Sequence, residues 1–141
     1  MVEACRVTAT TDELALGRYR LGPLLGRGAT SSVRRAHDAA TGRWVAVKTI
    51  PADEDLLARV RREVRAASRL DHPNLVPILD WGRDPDCVRL VWELVEGPSL
   101  REALARGALD DAAAVRAVAD VLRALAHAHG RGVVHLSLIH I

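Results

Sequence analysis

The chemistry in this chain starts at Lys48, which closes the apolar run Trp44-Val45-Ala46-Val47 and puts one cation on otherwise apolar scaffolding. A charge in such surroundings needs an opposite charge, because burying it alone is costly. Upstream, Gly26 and Gly28 stand two apart in Leu25-Gly26-Arg27-Gly28-Ala29-Thr30-Ser31-Ser32-Val33. Lacking Cβ atoms, they let backbone come close to a phosphate. Together the two features describe a phosphate cradle. A third group, Glu63, lies among Arg59, Arg61, Arg62, Arg65 and Arg69, where an acid could point inward or pair with arginines.

Other chemistries are less well supplied. Cys5 and Cys87 are isolated, which fits neither a disulfide framework nor metal-ligand spacing and suits a reducing cytoplasm. His127 and His129 fall in a helical pattern where packing or solvent accounts for them, and His72 beside Pro73 reads as a structural cap. With 141 residues, 49% of them apolar, and a formal charge of +2, the chain has the balance of one modest globular domain. That charge calls for neither nucleic acid nor an anionic membrane as partner. No segment reaches the apolar length of a membrane span, and the N-terminus lacks a secretory pattern. The expected location is the cytoplasm, with room for a membrane anchor further along a parent chain.

The positioning elements follow from pattern. Residues 1–18 are expected to be a flexible extension, with a helical turn at Glu13 to Leu16. Tyr19 to Leu25, Ser32 to His37 and Trp44 to Ile50 read as strands, the third with both faces covered because its apolar residues do not alternate. Asp53, Glu54 and Asp55 suit a helix start, and Leu56, Val60, Val64, Ala67 and Leu70 form one apolar stripe. Pro73 ends that helix. Leu75 to Trp81 and Val88 to Leu94 read as a hairpin closed by Gly82 to Asp86. Ser99 with Glu102 makes a capping box for a short helix to Arg106, and Asp110 caps a longer one that Gly130 stops. In the long helix Val115, Val118, Leu122, Leu125 and His129 repeat at helical spacing, and Val133 with Val134 begins another strand. Five strands around one helix, followed by helices, indicate an α+β protein in two parts.

Taken in order, these landmarks resemble the protein kinase family, specifically the bacterial serine/threonine kinases of eukaryotic type. The likeness covers Tyr19 to His135. It rests on Gly26-x-Gly28-x-x-Ser31-x-Val33, Val45-Ala46-Val47-Lys48, Glu63 in the next helix, His72-Pro73-Asn74, Val91-Trp92-Glu93-Leu94-Val95-Glu96-Gly97, and His129-x-x-Gly132-Val133-Val134-His135. A dinucleotide fold competes poorly, because its glycines must open a helix and Val33 continues as strand.

The resemblance implies a protein-kinase-like fold: a five-stranded antiparallel sheet with one regulatory helix in an N-lobe and hinge over 19–96, then the first helices of a helical C-lobe over 97–135. It implies ATP and Mg2+ as cofactors and protein serine or threonine hydroxyls as substrate, with the γ-phosphoryl group transferred between them. Leu25, Gly26, Gly28 and Ser31 would cover the nucleotide, Ser31 standing where the family's third glycine falls. Val33 and Ala46 would sandwich the adenine, although ordinary sheet packing also explains them. Glu93 and Val95 would offer backbone groups to its edge, and Trp92 would close the rear of the pocket. Lys48 would hold the α and β phosphates and pair with Glu63, fifteen residues on, a shorter connection than the family leads one to expect. Glu54 lies too early in the helix to be preferred.

After His135 the resemblance stops. Where the family has Arg-Asp, a lysine, an asparagine and a later Asp-Phe-Gly, this sequence has Leu136-Ser137-Leu138-Ile139-His140-Ile141. Ser137 takes the place of the catalytic aspartate, and no metal ligands follow. These six residues look like the reading of a sequencing adapter in one frame, so 136–141 is taken as non-native. The chain then represents an inactive piece of a serine/threonine kinase. The alternative is a non-catalytic pseudokinase, a nucleotide-binding or scaffolding module. The stripe from Val115 to Leu125 is expected to be exposed.

Overall fold

The computed structural model describes residues 13–52 and 54–133. They fall into two units. The first comprises the described residues up to Arg69 with Pro77–Leu94, and the second comprises Leu70–Val76 with the residues from Val95 onward.

The first unit is a six-stranded antiparallel sheet, β1 (Leu14–Ala15), β2 (Tyr19–Arg27), β3 (Ser32–Asp38), β4 (Trp44–Pro51), β5 (Ile78–Asp84) and β6 (Cys87–Glu93), with one helix, α1 (Glu54–Ala67). Strand order is β1-β2-β3-β4-β6-β5. Because β-strand side chains alternate between faces, β4 feeds two separate cores. Val45 and Val47 join Ala15, Tyr19, Leu21, Ala36 and Val91 on one side. On the other, Leu57, Val60 and Val64 of α1 pack on Val88 and Leu90 of β6, flanked by Ile50, Ile78, Trp81 and Trp92. The absence of alternation in Trp44 to Ile50 therefore does mean that both faces are covered.

The extension to Arg18 is corrected in its last six residues, and its expected helical turn at Glu13 to Leu16 is replaced by strand and turn. Leu14 and Ala15 pair with Arg20 and Tyr19, and the three residues Leu16 to Arg18 join them, the Arg18 N–H donating to the Ala15 carbonyl at 3.1 Å, with Leu16 at φ 53° and Gly17 at φ 64°. Positive φ costs glycine little and leucine considerably more. Leu16 is held there by its surroundings: its N–H donates to Asp84 Oδ1 at 3.2 Å, and its side chain occupies the space where a Cβ on Gly82 would sit, 2.7 Å from Leu16 Cδ2. The sheet coils until its β1–β2 end reaches β5 at the other edge. Tyr19 of β2 donates its hydroxyl to Asp80 of β5 at 2.7 Å.

Arg89 locks this closure. Its side chain is only 4% exposed and donates to Asp84 Oδ2 at 2.9 Å, Thr49 Oγ1 at 2.5 Å and Glu13 Oε1 at 2.5 Å. A buried guanidinium is tolerable only when its donors are met in this way. A second pair fixes the β3–β4 turn. Asp38 accepts from Arg18 at 2.6 and 2.7 Å, from Thr41 Oγ1 at 2.6 Å and from the Ala40 N–H at 3.0 Å. These bonds, the Arg18 guanidinium first, hold the Asp38 carboxyl well below the usual range. Pro23, which has no N–H for a ladder, lies in the irregular stretch of β2 between Leu21 and Leu24. Arg34 repairs the ladder there by donating to the Gly22 carbonyl at 2.8 Å.

The hairpin expected to close over Gly82 to Asp86 is tighter than its composition suggests. Both strands run through to the Asp84–Cys87 pair, leaving a two-residue turn at Pro85 and Asp86. The strand starts at Ile78 instead of Leu75. In α1 the buried stripe includes Leu57, which the expected stripe left out.

In the second unit, α2 (Leu100–Ala105) has the expected capping box of Ser99 and Glu102. The helix α3 (Asp111–Gly130) is capped by Asp110, which accepts from the Ala113 N–H at 2.6 Å. Its buried residues are the small Ala124 and Ala128, whereas Val115, Val118, Val121 and Leu122 are exposed. His72 and His127 meet with ring centroids 5.0 Å apart, and His72 Nδ1 accepts from the Asn74 N–H at 3.1 Å, a local cap as expected. The strand expected at Val133 and Val134 and the segment 136–141 lie at or outside the limit of the described residues.

Candidate nucleotide-binding site

Antiparallel register, more than proximity in sequence, assembles the site. Gly26 pairs with Val33, Val33 with Lys48, Lys48 with Leu90, and Leu90 with Trp81. Directly paired residues share a face, so one row across five strands carries a glycine, a valine, the lysine and the apolar partner of α1. The next row is Arg35, Ala46, Trp92 and Ile78. Val33, Ala46, Lys48 and Trp92 thus lie on the same side of the sheet, half-buried. Burial among these neighbours lowers the Lys48 amine from its ordinary pKa, because desolvation disfavours the charged form.

At the far end of the row the chain turns tightly. The Gly28 N–H donates to the Ser31 carbonyl at 2.8 Å, and a Cβ on Gly28 would come within 3.0 Å of Ser31 Oγ. A side chain at 28 would have to displace that hydroxyl. Leu25, Gly26 and Gly28 are exposed and Ser31 is half-buried, so this turn presents backbone to solvent above the row that contains Lys48. A half-buried cation beside an open, glycine-bearing turn fits an anionic, phosphate-bearing ligand. Among the described residues there is no group of three or more His, Cys, Asp or Glu that could hold a metal ion.

Glu63, expected to pair with Lys48, is exposed. The reason lies in α1, where Leu57, Val60 and Val64 point at the sheet and a helix turns about 100° per residue. Next to Val64, Glu63 is carried off the packing face. Glu93 is exposed at the end of β6, paired with Val45, and its N–H is already donated to the Pro77 carbonyl at 3.3 Å. Val95 belongs to the second unit and is exposed. Trp92, placed by the resemblance at the rear of the pocket, packs against the apolar cluster of α1 beside Ala46.

Residues outside the expected site complete its frame. Arg89 alternates with Val88 and Leu90 in β6, and an arginine inside such an apolar run is itself a signal of a buried pair. Its partners Glu13 and Asp84 are too remote in sequence to be matched to it by pattern alone.

Comparison with known proteins agrees with this geometry. Residues 19–138 match the family model described as protein kinase domain. The chain is 39% identical over 127 residues to the serine/threonine-protein kinase pkn3 of Myxococcus xanthus, covering 86% of this chain and 23% of that protein. It is 38% identical over 124 residues to the serine/threonine-protein kinase PrkC of Bacillus subtilis, covering 84% of this chain and 19% of that protein. Among solved structures, that of Rad53 1-466 in complex with AMP-PNP superimposes with a TM-score of 0.76 at 27% identity, covering 87% of this chain and 33% of that one. The chain therefore belongs to the protein kinase family, among the bacterial serine/threonine kinases of eukaryotic type. It spans about a fifth of the length of these two curated relatives. No helix among the described residues is long and apolar enough to cross a membrane.

Proposed function

We propose that the chain is the ATP-binding part of a cytoplasmic serine/threonine protein kinase, whose whole domain transfers the γ-phosphoryl group of ATP to protein hydroxyls. The observation that carries this reading is the half-buried Lys48 in one row with Val33 and Gly26. Lys48 holds the α and β phosphates, the Gly26 to Ser31 turn covers them with backbone, and Val33 and Ala46 enclose the adenine. The Glu93 carbonyl and the Val95 backbone read its edge. With α1 turned so that Glu63 faces the sheet, Glu63 pairs with Lys48 and fixes the phosphate geometry. Mg2+, when bound, neutralises charge developing on the phosphates. Its ligands, like the catalytic aspartate, belong to the native sequence after His135, and residues 136–141 are not part of it. On this reading the 141-residue chain binds nucleotide weakly and transfers nothing.

Ser137 at the position of the aspartate favours a second reading, a pseudokinase that binds nucleotide or partners without transfer. Sequencing the gene past His135 separates the two: Arg-Asp directly after His135 supports the kinase, and a continuation without it supports the pseudokinase. The kinase reading is then tested in the parent protein with labelled ATP and a generic protein substrate. Transfer should fall to background in Lys48→Met, and a variant that still transfers like the parent would refute the role given to Lys48.

A further inference from the structure

The face of α1 turned away from the two cores carries Ala58, Arg61, Arg62, Arg65 and Ala66, linked by steps of three or four residues, and the turn after the helix adds Arg69. Residues so spaced are neighbours on a helix surface. The four arginines are exposed, and none of them forms an ion pair among the described residues. Arg18, Arg89 and Arg123, by contrast, pair with Asp38, with Glu13 and Asp84, and with Asp120. The small Ala58 and Ala66 stand between these arginines on the same face. Glu63, the one acid between Leu57 and Arg69, falls on the other flank of the apolar stripe.

We propose that this face of α1 is a docking surface for an acidic segment of a partner protein, with carboxylates presented to Arg61, Arg65 and Arg69. The arginine fork matches a carboxylate with two parallel hydrogen bonds. Arg61 and Arg65 stand four residues apart, about 6 Å along the axis, which is also the spacing of Glu side chains at every fourth position of a partner helix, and Arg69 follows in the turn after α1. The small Ala58 and Ala66 let that backbone approach. Nucleic acid fits less well, because no aromatic ring interleaves with the arginines to stack on a base. A membrane surface fits less well too, since the apolar stripe of α1 that would insert into lipid is buried on the sheet.

The test is fluorescence anisotropy of this chain with a labelled helical peptide bearing Glu at every fourth position. The controls are a peptide of the same composition with its acids spread around the helix, a single-stranded oligonucleotide of equal charge, and phosphatidylglycerol vesicles. Saturable binding of the first peptide, weakened about tenfold (about 1.4 kcal/mol) in R61E/R65E/R69E and unchanged in the α3 variant R116E, is expected. The variant R61K/R65K/R69K, which keeps charge and fold but loses the fork, should bind with intermediate affinity. Equal affinity of parent and both triple variants, equal binding of the two peptides, or preference for the oligonucleotide or the vesicles would overturn the proposal.

Discussion

Replacing Asp84 with alanine removes two things at once: one of the two carboxylates on Arg89, and the acceptor of the Leu16 N–H. The Arg89 side chain is 4% exposed, and its other carboxylate, on Glu13, is 37% exposed. Stranding a fully buried charge costs about 3–5 kcal/mol. Because Glu13 remains and Asp84 is itself 21% exposed, the lower end applies, about 3 kcal/mol, to which the lost hydrogen bond of Leu16 adds about 1 kcal/mol. For a unit of this size each kcal/mol moves the melting temperature by roughly 4–8 °C, so a loss of more than 10 °C is expected. Urea unfolding followed by circular dichroism should be run on Asp84→Ala, Arg89→Met and the double variant. Once Arg89 is gone, Asp84→Ala should cost about 1 kcal/mol, the Leu16 bond alone. If the two substitutions add within about 0.5 kcal/mol, Arg89 does not clasp the sheet and the reasoning fails.

Three further outcomes follow from single contacts. Tyr19 is the one tyrosine of the chain, and burial, followed by its hydrogen bond to Asp80, pushes its hydroxyl up to about 12. Absorbance at 295 nm should show ionisation near that pH, and stability should fall as pH rises from about 10, where the unfolded chain starts to lose the proton; a midpoint near 10 would contradict the buried contact. Trp92→Thr should improve binding of ATP-site compounds with a bulky apolar group at the adenine rear by about tenfold, in line with roughly 1.5–3 kcal/mol for burying such a group, and equal affinity in competition assays would remove Trp92 from the pocket. Ser99→Ala should cost α2 about 1 kcal/mol, seen as about fivefold faster hydrogen exchange at the Glu102 amide, the proton that Ser99 Oγ accepts.

What the sequence made legible was local. The capping residues Ser99 and Asp110 act through neighbours three positions away, and the strand run from Trp44 to Ile50 declares its two covered faces through composition alone. Val33, Ala46 and Lys48 could be placed on strands by pattern, whereas Gly26, read as loop, lies within β2, and the register then put all four on one face. Contacts between distant segments were not legible. The seat of Leu16 on Gly82, the bond from Tyr19 to Asp80 and the three partners of Arg89 depend on how far the sheet coils, which no short-range pattern encodes. A segment rich in threonine and small residues therefore read as an extension, although its last six residues form an edge of the sheet. Glu63 shows the same limit: helical spacing put it at the rim of the stripe, but rotation of α1 decides whether it meets Lys48.

The central claim, a nucleotide held at Lys48, is tested most directly by isothermal titration of the chain with ATP and Mg2+, in parallel with Lys48→Ala. Lys48 supplies a charge-assisted contact to phosphate, worth about 1.5–3 kcal/mol, so the variant should bind roughly ten- to a hundredfold more weakly, while adenosine, which lacks phosphate, should bind both forms alike. Equal affinity of the two forms for ATP would contradict the account.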